Sequence, residues 1–599
     1  MSRGAQTQVM NRTVWRRLVV LTVMLFAFAG LVWRAVDLRL NHQEFLQSQG
    51  EARYLRVVKV PAHRGKVLDR NGYPLAISTP VDSVWVSPRE FRPDDIEFKA
   101  LVKLLGLDPV QLQRMLEARR ERGFEFLKRH VDPAVANSVM ALGIEGVYLQ
   151  REYRRYYPMG EIAAHVVGFT NIDDVGQEGI ELAFENALRG IGGSKRVLRD
   201  RIGRVVADVD QIREPKSGRD LVLSIDRRIQ YHAYRALLTA VNRNQARAGS
   251  VVVLDAQNGE VLAMVNQPSY NPNNRAERVG SRFRNRAVTD VFEPGSAVKP
   301  FTIAAALNSG QFKPDTVVDT SPGSMKVGKY TIKDVRNYGR IDLATIVKKS
   351  SNVGASKVAL SLPPRDIWQT LSRFGFGLST GSGFPGEAEG VLTHYFEWRE
   401  AHRATLSYGY GLSVTVLQLA QAYAAIANGG TLLNARFLPA EAELDGTRVV
   451  SEDVALKLRR MLEAAASPSG TGSLARFEGF RVAGKTGTVR KATPGGYSED
   501  RYIALFAGMA PISSPRIVTV VVIDEPSAGE YYAGKVAAPV FADVTEGALR
   551  LLGVAPDDRG LPARRMVTAS AAVSRDQSAN TDLTRVALRK DRRGPEATQ

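Results

Sequence analysis

The chain has 599 residues, too many for one ordinary hydrophobic core, so two or three domains with attachments are expected. Its 81 lysines and arginines against 62 aspartates and glutamates leave a formal net charge of +19, which allows nucleic acid, an anionic membrane surface or an acidic polymer as partner. The absence of cysteine removes disulfides, thiolate metal sites and cysteine nucleophiles, and the 7 histidines form no H-E-x-x-H cluster, so neither metal nor cofactor is expected.

At the N-terminus Arg3, Arg12, Arg16 and Arg17 precede the apolar run LVVLTVMLFAFAGLVW, from Leu18 to Trp33, with no acidic residue before it. The positive-inside rule keeps a tail over 1–17 in the cytoplasm and sends everything after Arg34 across the membrane. The run is short for a span, and Ala27-Phe28-Ala29-Gly30 resembles a signal-peptidase site. Trp15 and Trp33 suit the two interfaces, and Ala35 to Leu40 can extend the helix, which favours a retained single-pass anchor over 18–40. Nucleic acid is then not expected as partner of the basic bulk. Residues 41–220 mix strand-like pieces such as YLRVVKV with turns such as Arg70-Asn71-Gly72, interrupted by helical stretches around 94–120 and 132–142. They carry no reactive constellation and read as a spacer or binding module, a pedestal.

The texture changes near Leu221. A helical segment, DRRIQYHAYRALLTAVNR, leads into SVVVLDAQNGEVLAMVN, two strands joined at Asn258-Gly259. Far downstream FRVAGKTGTV precedes a second hairpin, YIALFAGMAP and IVTVVVIDEP around ISSPR, and APVFADVTEGALRLLG closes the region as a helix. Strands at both ends of a helical middle predict one antiparallel sheet with helices packed on it, an α+β domain over 221–555. Beyond Pro556 the chain is Ala, Ser, Asp and Arg without an aromatic, which predicts a disordered tail over 556–599.

Inside the domain, FEPGSAVKPFTIAAALNSG sets Ser296 at the start of an apolar helix, three residues before Lys299 and on the same face. A serine hydroxyl needs a base, and a lysine serves once desolvation and neighbouring positive potential lower its pKa. KKSSNVGAS adds the hydroxyl of Ser350 and the carboxamide of Asn352. GKTGT adds Lys485, Thr486, Gly487 and Thr488 on an expected edge strand. Two decoys accompany them. Gly479 with Gly484-Lys485-Thr486 satisfies G-x-x-x-x-G-K-[ST], but no helix follows the lysine, as phosphate binding requires. Gly377-Leu378-Ser379-Thr380-Gly381 fits G-x-S-x-G, but lies in a Gly/Pro loop with no strand before it.

The order S-x-x-K, S-x-N, K-T-G is the triad of the serine-active penicillin-binding proteins and β-lactamases. With AHRGKVLDRNGYPLA, RRYYPMGEIAAHVVGFTNIDDVGQEGIE and FGFGLSTGSGFPGE, the chain resembles class B penicillin-binding proteins from the anchor to about residue 555, and most closely the division-specific septal transpeptidases, the FtsI family. The elongation-specific relatives and β-lactam-hydrolysing or sensing relatives are the alternatives. The resemblance implies a single transmembrane helix in the bacterial inner membrane, an extended mixed α/β pedestal of dimerisation type, and a periplasmic transpeptidase domain with a five-stranded antiparallel sheet and a helical subdomain. It implies serine-type D-Ala-D-Ala transpeptidase or carboxypeptidase activity on peptidoglycan stem peptides, inhibition by β-lactams, and, since no glycosyltransferase block is present, a SEDS-type glycosyltransferase and other division proteins as partners. By the same resemblance Ser296 is the nucleophile and Lys299 its base. Ser350 relays a proton and Asn352 holds the substrate amide. Lys485 and Thr486 bind the terminal carboxylate, and the N–H groups of Ser296 and Thr488 form the oxyanion hole.

Overall fold

The computed structural model describes residues 4–40, 55–199, 205–440, 445–493 and 495–558. The expected C-terminal tail from 559 onward and the stretch joining anchor to pedestal lie outside them. Helix α1 (Gly4–Leu40) begins well before the apolar run. Its segment Val14–Leu40, with a mean hydropathy of 2.2, is long and apolar enough to cross a membrane. Trp15 and Trp33 are both exposed to the surroundings of that helix.

The pedestal is built on two sheets. Strands β1 (Leu55–Val60), β6 (Gly193–Arg199) and β7 (Val205–Arg213) make a three-stranded antiparallel sheet in the order β1-β6-β7. Strands β2 (Val67–Leu68), β3 (Pro74–Val86), β4 (Glu125–Val131), β5 (Val147–Tyr156) and β8 (Leu221–Val222) make the other, with β3 pairing β2, β4 and β5, and with β8 parallel to β2. The helical stretch expected around 94–120 is two helices, Asp95–Leu105 and Pro109–Ala118. Gly106 stops the first in the left-handed conformation, and Asp108 with Pro109 starts the second, so local chemistry overrides a continuous apolar periodicity. Two distant sequence blocks meet in a buried network: Arg64 bridges Glu181 at 2.6 Å, and Arg155 reaches the other oxygen of Glu181 at 2.6 Å. Glu181 is wholly buried, so losing it would leave the buried Arg155 without a carboxylate partner among the described residues.

The second domain centres on the sheet β10-β9-β13-β12-β11, antiparallel throughout, where β9 is Ala248–Asp255, β10 Val261–Gln267, β11 Ala483–Thr493, β12 Gly496–Ala510 and β13 Ile517–Asp524. Every residue of β9 and β10 is buried, so no solvent face is left to mark alternation. The period of two survives in partner choice. Val251 and Val253 pack with Ile229, Ala233 and Leu237 of helix α2 (Arg227–Arg243), and with Phe541 and Val544 of the terminal helix Ala538–Leu551. Val252 and Leu254 face the opposite way, into the helical subdomain around Phe301 and Tyr423. The apolar stripe of α2, at spacings of four, four and three residues through Ala240, explains its docking, and Asp226 caps its first turn by accepting from Arg228 N. The chain stays bonded past residue 555: Asp557 accepts from the backbone of Arg481 at 2.7 Å and of Ser513 at 3.0 Å.

Candidate active site

Three chain segments meet at the edge of the sheet. Ser296 and Lys299 lie where a 3₁₀ turn, Gly295–Val298, passes into helix α3 (Lys299–Asn308). This differs from the expected start of an α-helix, and the difference matters: residues three apart eclipse each other in a 3₁₀ turn, which sets the serine oxygen over the lysine amine. Lys299 Nζ is 3.1 Å from Ser296 Oγ, and Lys299 is completely buried while Ser296 is half-buried. The turn seats tightly. A side chain on Gly487 would strike the Pro294 carbonyl at 2.7 Å, so Gly487 of the K-T-G strand is the residue that lets the nucleophile's turn lie against β11. From the other side Tyr423, at 0% exposure, donates to the Ala297 carbonyl at 2.9 Å.

The middle segment is a break between helices α4 (Leu343–Lys349) and α5 (Asn352–Ser361). Ser350 ends α4 in the left-handed region at φ 61°, a conformation costing a non-glycine residue about 1–2 kcal/mol. Ser351 caps α5. The turn brings both the carbonyl and the hydroxyl of Ser350 to Lys299 Nζ, at 2.6 and 3.1 Å, and Asn352 Oδ1 to it at 2.8 Å. Asp334, invisible to motif reading, braces this turn. It accepts from Ser351 Oγ at 2.6 Å, Asn352 N at 2.5 Å and Val353 N at 3.1 Å. Asp334→Ala is therefore expected to leave the start of α5 unsatisfied, destabilising the domain by about 2–4 kcal/mol from lost charge-assisted bonds and a lost cap. Thermal unfolding would show it as a lowered Tm; an unchanged Tm would remove the bracing role.

The third segment is β11, the expected edge strand, with Lys485 opposite Ala507 and Thr486 opposite Phe506 in register with β12. Lys485 is completely buried, with Nζ 3.1 Å from the Thr486 carbonyl and 3.3 Å from Thr486 Oγ1. Thr486 Oγ1 donates to Thr471 Oγ1 at 2.9 Å, and Thr488 Oγ1 accepts from Ala533 N at 3.0 Å. The strand continues through Lys485, so the phosphate-loop reading fails on conformation. Ser379, the elbow decoy, sits in an irregular loop where its hydroxyl accepts from Gly381 N.

Electrostatically the two lysines are unusual. Burial drives the Lys299 ammonium well below its ordinary range, and the Lys485 cation pushes the same way against the opposing pull of Asp334. The neighbouring positive potential is thus another lysine. Burial alone lowers Lys485 to about 7. A neutral Lys299 has two N–H bonds and one lone pair. The Ser350 carbonyl and Asn352 Oδ1 are acceptors only and occupy the two N–H bonds, which leaves the lone pair to the hydroxyls of Ser296 and Ser350, each at 3.1 Å. Among the described residues no group of three or more His, Cys, Asp or Glu side chains could hold a metal ion.

A buried amine whose charged form is disfavoured, held against a serine oxygen on this sheet, is the arrangement of a serine acyl-transferase. Residues 249–546 match the penicillin-binding protein transpeptidase domain and residues 59–223 the penicillin-binding protein dimerisation domain. The chain belongs to the family of penicillin-binding protein D,D-transpeptidases. It is 42% identical over 541 residues, 90% of this chain and 93% of the other, to a protein of Neisseria meningitidis named a probable peptidoglycan D,D-transpeptidase, PenA. It is 41% identical over 552 residues, 91% and 93% of the two chains, to the peptidoglycan D,D-transpeptidase FtsI of Escherichia coli. Among solved structures, penicillin-binding protein 3 of Mycobacterium tuberculosis in complex with aztreonam superposes with a TM-score of 0.64 at 28% identity, covering 85% of this chain and 99% of that one.

Proposed function

We propose that the chain is a septal peptidoglycan D,D-transpeptidase, held in the inner membrane by residues 18–40 with 1–17 in the cytoplasm and everything from the pedestal onward in the periplasm. The observation that carries the chemistry is the buried Lys299 amine in contact with both serine hydroxyls. Ser296 Oγ attacks the carbonyl between the two terminal D-alanines of a stem peptide as Lys299 takes its proton. Ser350 passes that proton to the departing D-alanine amine. Asn352 orients the substrate amide, and the N–H groups of Ser296 and Thr488 receive the developing oxyanion. The amine of a neighbouring stem then takes the acyl group, forming the cross-link; water in its place gives a carboxypeptidase product. Because no polymerising block is present, the strand itself comes from a SEDS-type glycosyltransferase working with other division proteins.

Lys485 and Thr486 hold the terminal carboxylate, which the D-Ala-D-Ala end and penicillin share. One charge-assisted and one neutral hydrogen bond are together worth about 2–4 kcal/mol. Lys485→Ala and Thr486→Val should therefore slow acylation by a free-acid penicillin far more than by its methyl ester. The sign with pH follows: free-acid acylation falls as pH rises through about 7 and Lys485 loses its proton, and the ester lacks that alkaline limb. Stopped-flow acylation rates test both statements; equal losses for acid and ester would refute carboxylate docking.

A further inference from the structure

A polar cleft lies where the dimerisation domain meets the transpeptidase domain, and none of its lining residues belongs to the site at Ser296. It has a volume of about 280 Å³ and draws Arg129, His130, Arg154 and Arg155 from the first domain and Arg275 and Arg278 from the second. Some of this charge is answered. Arg129 pairs with Glu152 at 2.6 Å and Asp173 at 2.7 Å, and Arg155 pairs with Glu181. Asp174 also lines the cleft, and among the described residues its buried Oδ1 has no hydrogen-bond partner. Arg278 is spent on the carbonyls of Pro272 and Thr170 and on the face of Phe169.

The remainder is not answered. Among the described residues Arg154 and Arg275 have no carboxylate within ion-pair distance. Among the described residues the Nη2 of Arg155, a residue 6% exposed, has no hydrogen-bond partner, and His130 Nε2 has none either, standing 3.9 Å from a Glu152 carboxylate oxygen. Burial pushes the Arg275 guanidinium down, and the cations of Arg154 and Arg129 push it the same way, against Asp173. Buried donors without acceptors and like charges gathered around a cavity are costly unless an anion completes them. Guanidinium forks converging from two domains match the planar oxygen pairs of carboxylate and phosphate.

We propose that this cleft is an anion site that binds a multivalent oxyanion, a phosphate or clustered carboxylates, and in doing so ties the dimerisation domain to the transpeptidase domain. The site takes no part in acylation. The test uses the full chain in detergent at constant ionic strength, titrated with inorganic phosphate or with tricarballylate and followed by thermal unfolding, with sodium chloride as control. At least one of the two raises Tm saturably and chloride does not. If phosphate alone saturates, the occupant is a phosphate; if tricarballylate alone does, it is a carboxylate-bearing ligand. In the R154Q/R275Q variant the half-saturating concentration rises at least about tenfold, the scale of losing charge-assisted bonds, while covalent labelling by fluorescent penicillin is unchanged and shows that the variant is folded. Absence of saturation by both anions, or saturation unaltered in the double variant, would overturn the proposal.

Discussion

Ser296→Ala is expected to abolish covalent labelling by penicillin while leaving thermal unfolding essentially unchanged. The acyl bond needs that oxygen, and no other hydroxyl at the site can replace it geometrically. Ser350 is held in a left-handed helix cap with its hydroxyl toward Lys299, and Thr486 Oγ1 is engaged with Thr471. Stability survives because Ser296 is half-buried and, among the described residues, its hydroxyl bonds only to the lysine. Lys299 keeps the Ser350 carbonyl and Asn352 Oδ1 as partners. Gel fluorescence after labelling, with unfolding measured on the same preparation, gives the answer. Labelling that persists would move the nucleophile elsewhere.

Lys299→Ala should leave a folded protein that acylates at least about a hundredfold more slowly, the usual loss for a general base. The pH profile separates this role from mere support. Lys299 must be neutral to accept a proton, so wild-type acylation rises with pH through its lowered pKa, while deprotonation of Lys485 makes it fall as pH rises through about 7. The two buried lysines influence each other, so the limbs of the bell belong to the pair. Lys299→Ala removes the rising limb. A variant that keeps the limb, or acylates at the wild-type rate, would place the base on another group.

How much of this could be read from residues alone follows sequence distance. Ser296 and Lys299 are three apart, Ser350 and Asn352 two apart, and Lys485 to Thr488 consecutive; short spacing of reactive side chains survives as a written pattern. The apolar strand-like runs at both ends of the domain and the Asn258-Gly259 turn revealed the sheet, whose outer strands lie more than two hundred residues apart in the chain. Asp334 left no such trace. It is one carboxylate after a short hairpin, and its meaning depends on helix α5 beginning beside it. Tyr423, on a helix buried along its whole length, reads as plain core until the Ala297 carbonyl is seen against its hydroxyl. The 3₁₀ geometry at Ser296 was hidden as well, because Ser-Ala-Val-Lys followed by Pro300 suits either the first turn of an α-helix or a tighter one. The arginine cleft unites residues more than a hundred positions apart, with no short spacing to mark it in the sequence.

The central claim is that this site joins stem peptides, which labelling by penicillin alone does not establish. The most direct measurement supplies the purified full-length chain, together with a polymerising glycosyltransferase, with uncross-linked peptidoglycan precursor, then digests the product and separates the muropeptides by chromatography and mass spectrometry. Dimeric muropeptides and released D-alanine are expected, both lost in Ser296→Ala and both suppressed by prior penicillin. Monomers alone, from an enzyme that polymer, partner and penicillin labelling show to be competent, would contradict the claim.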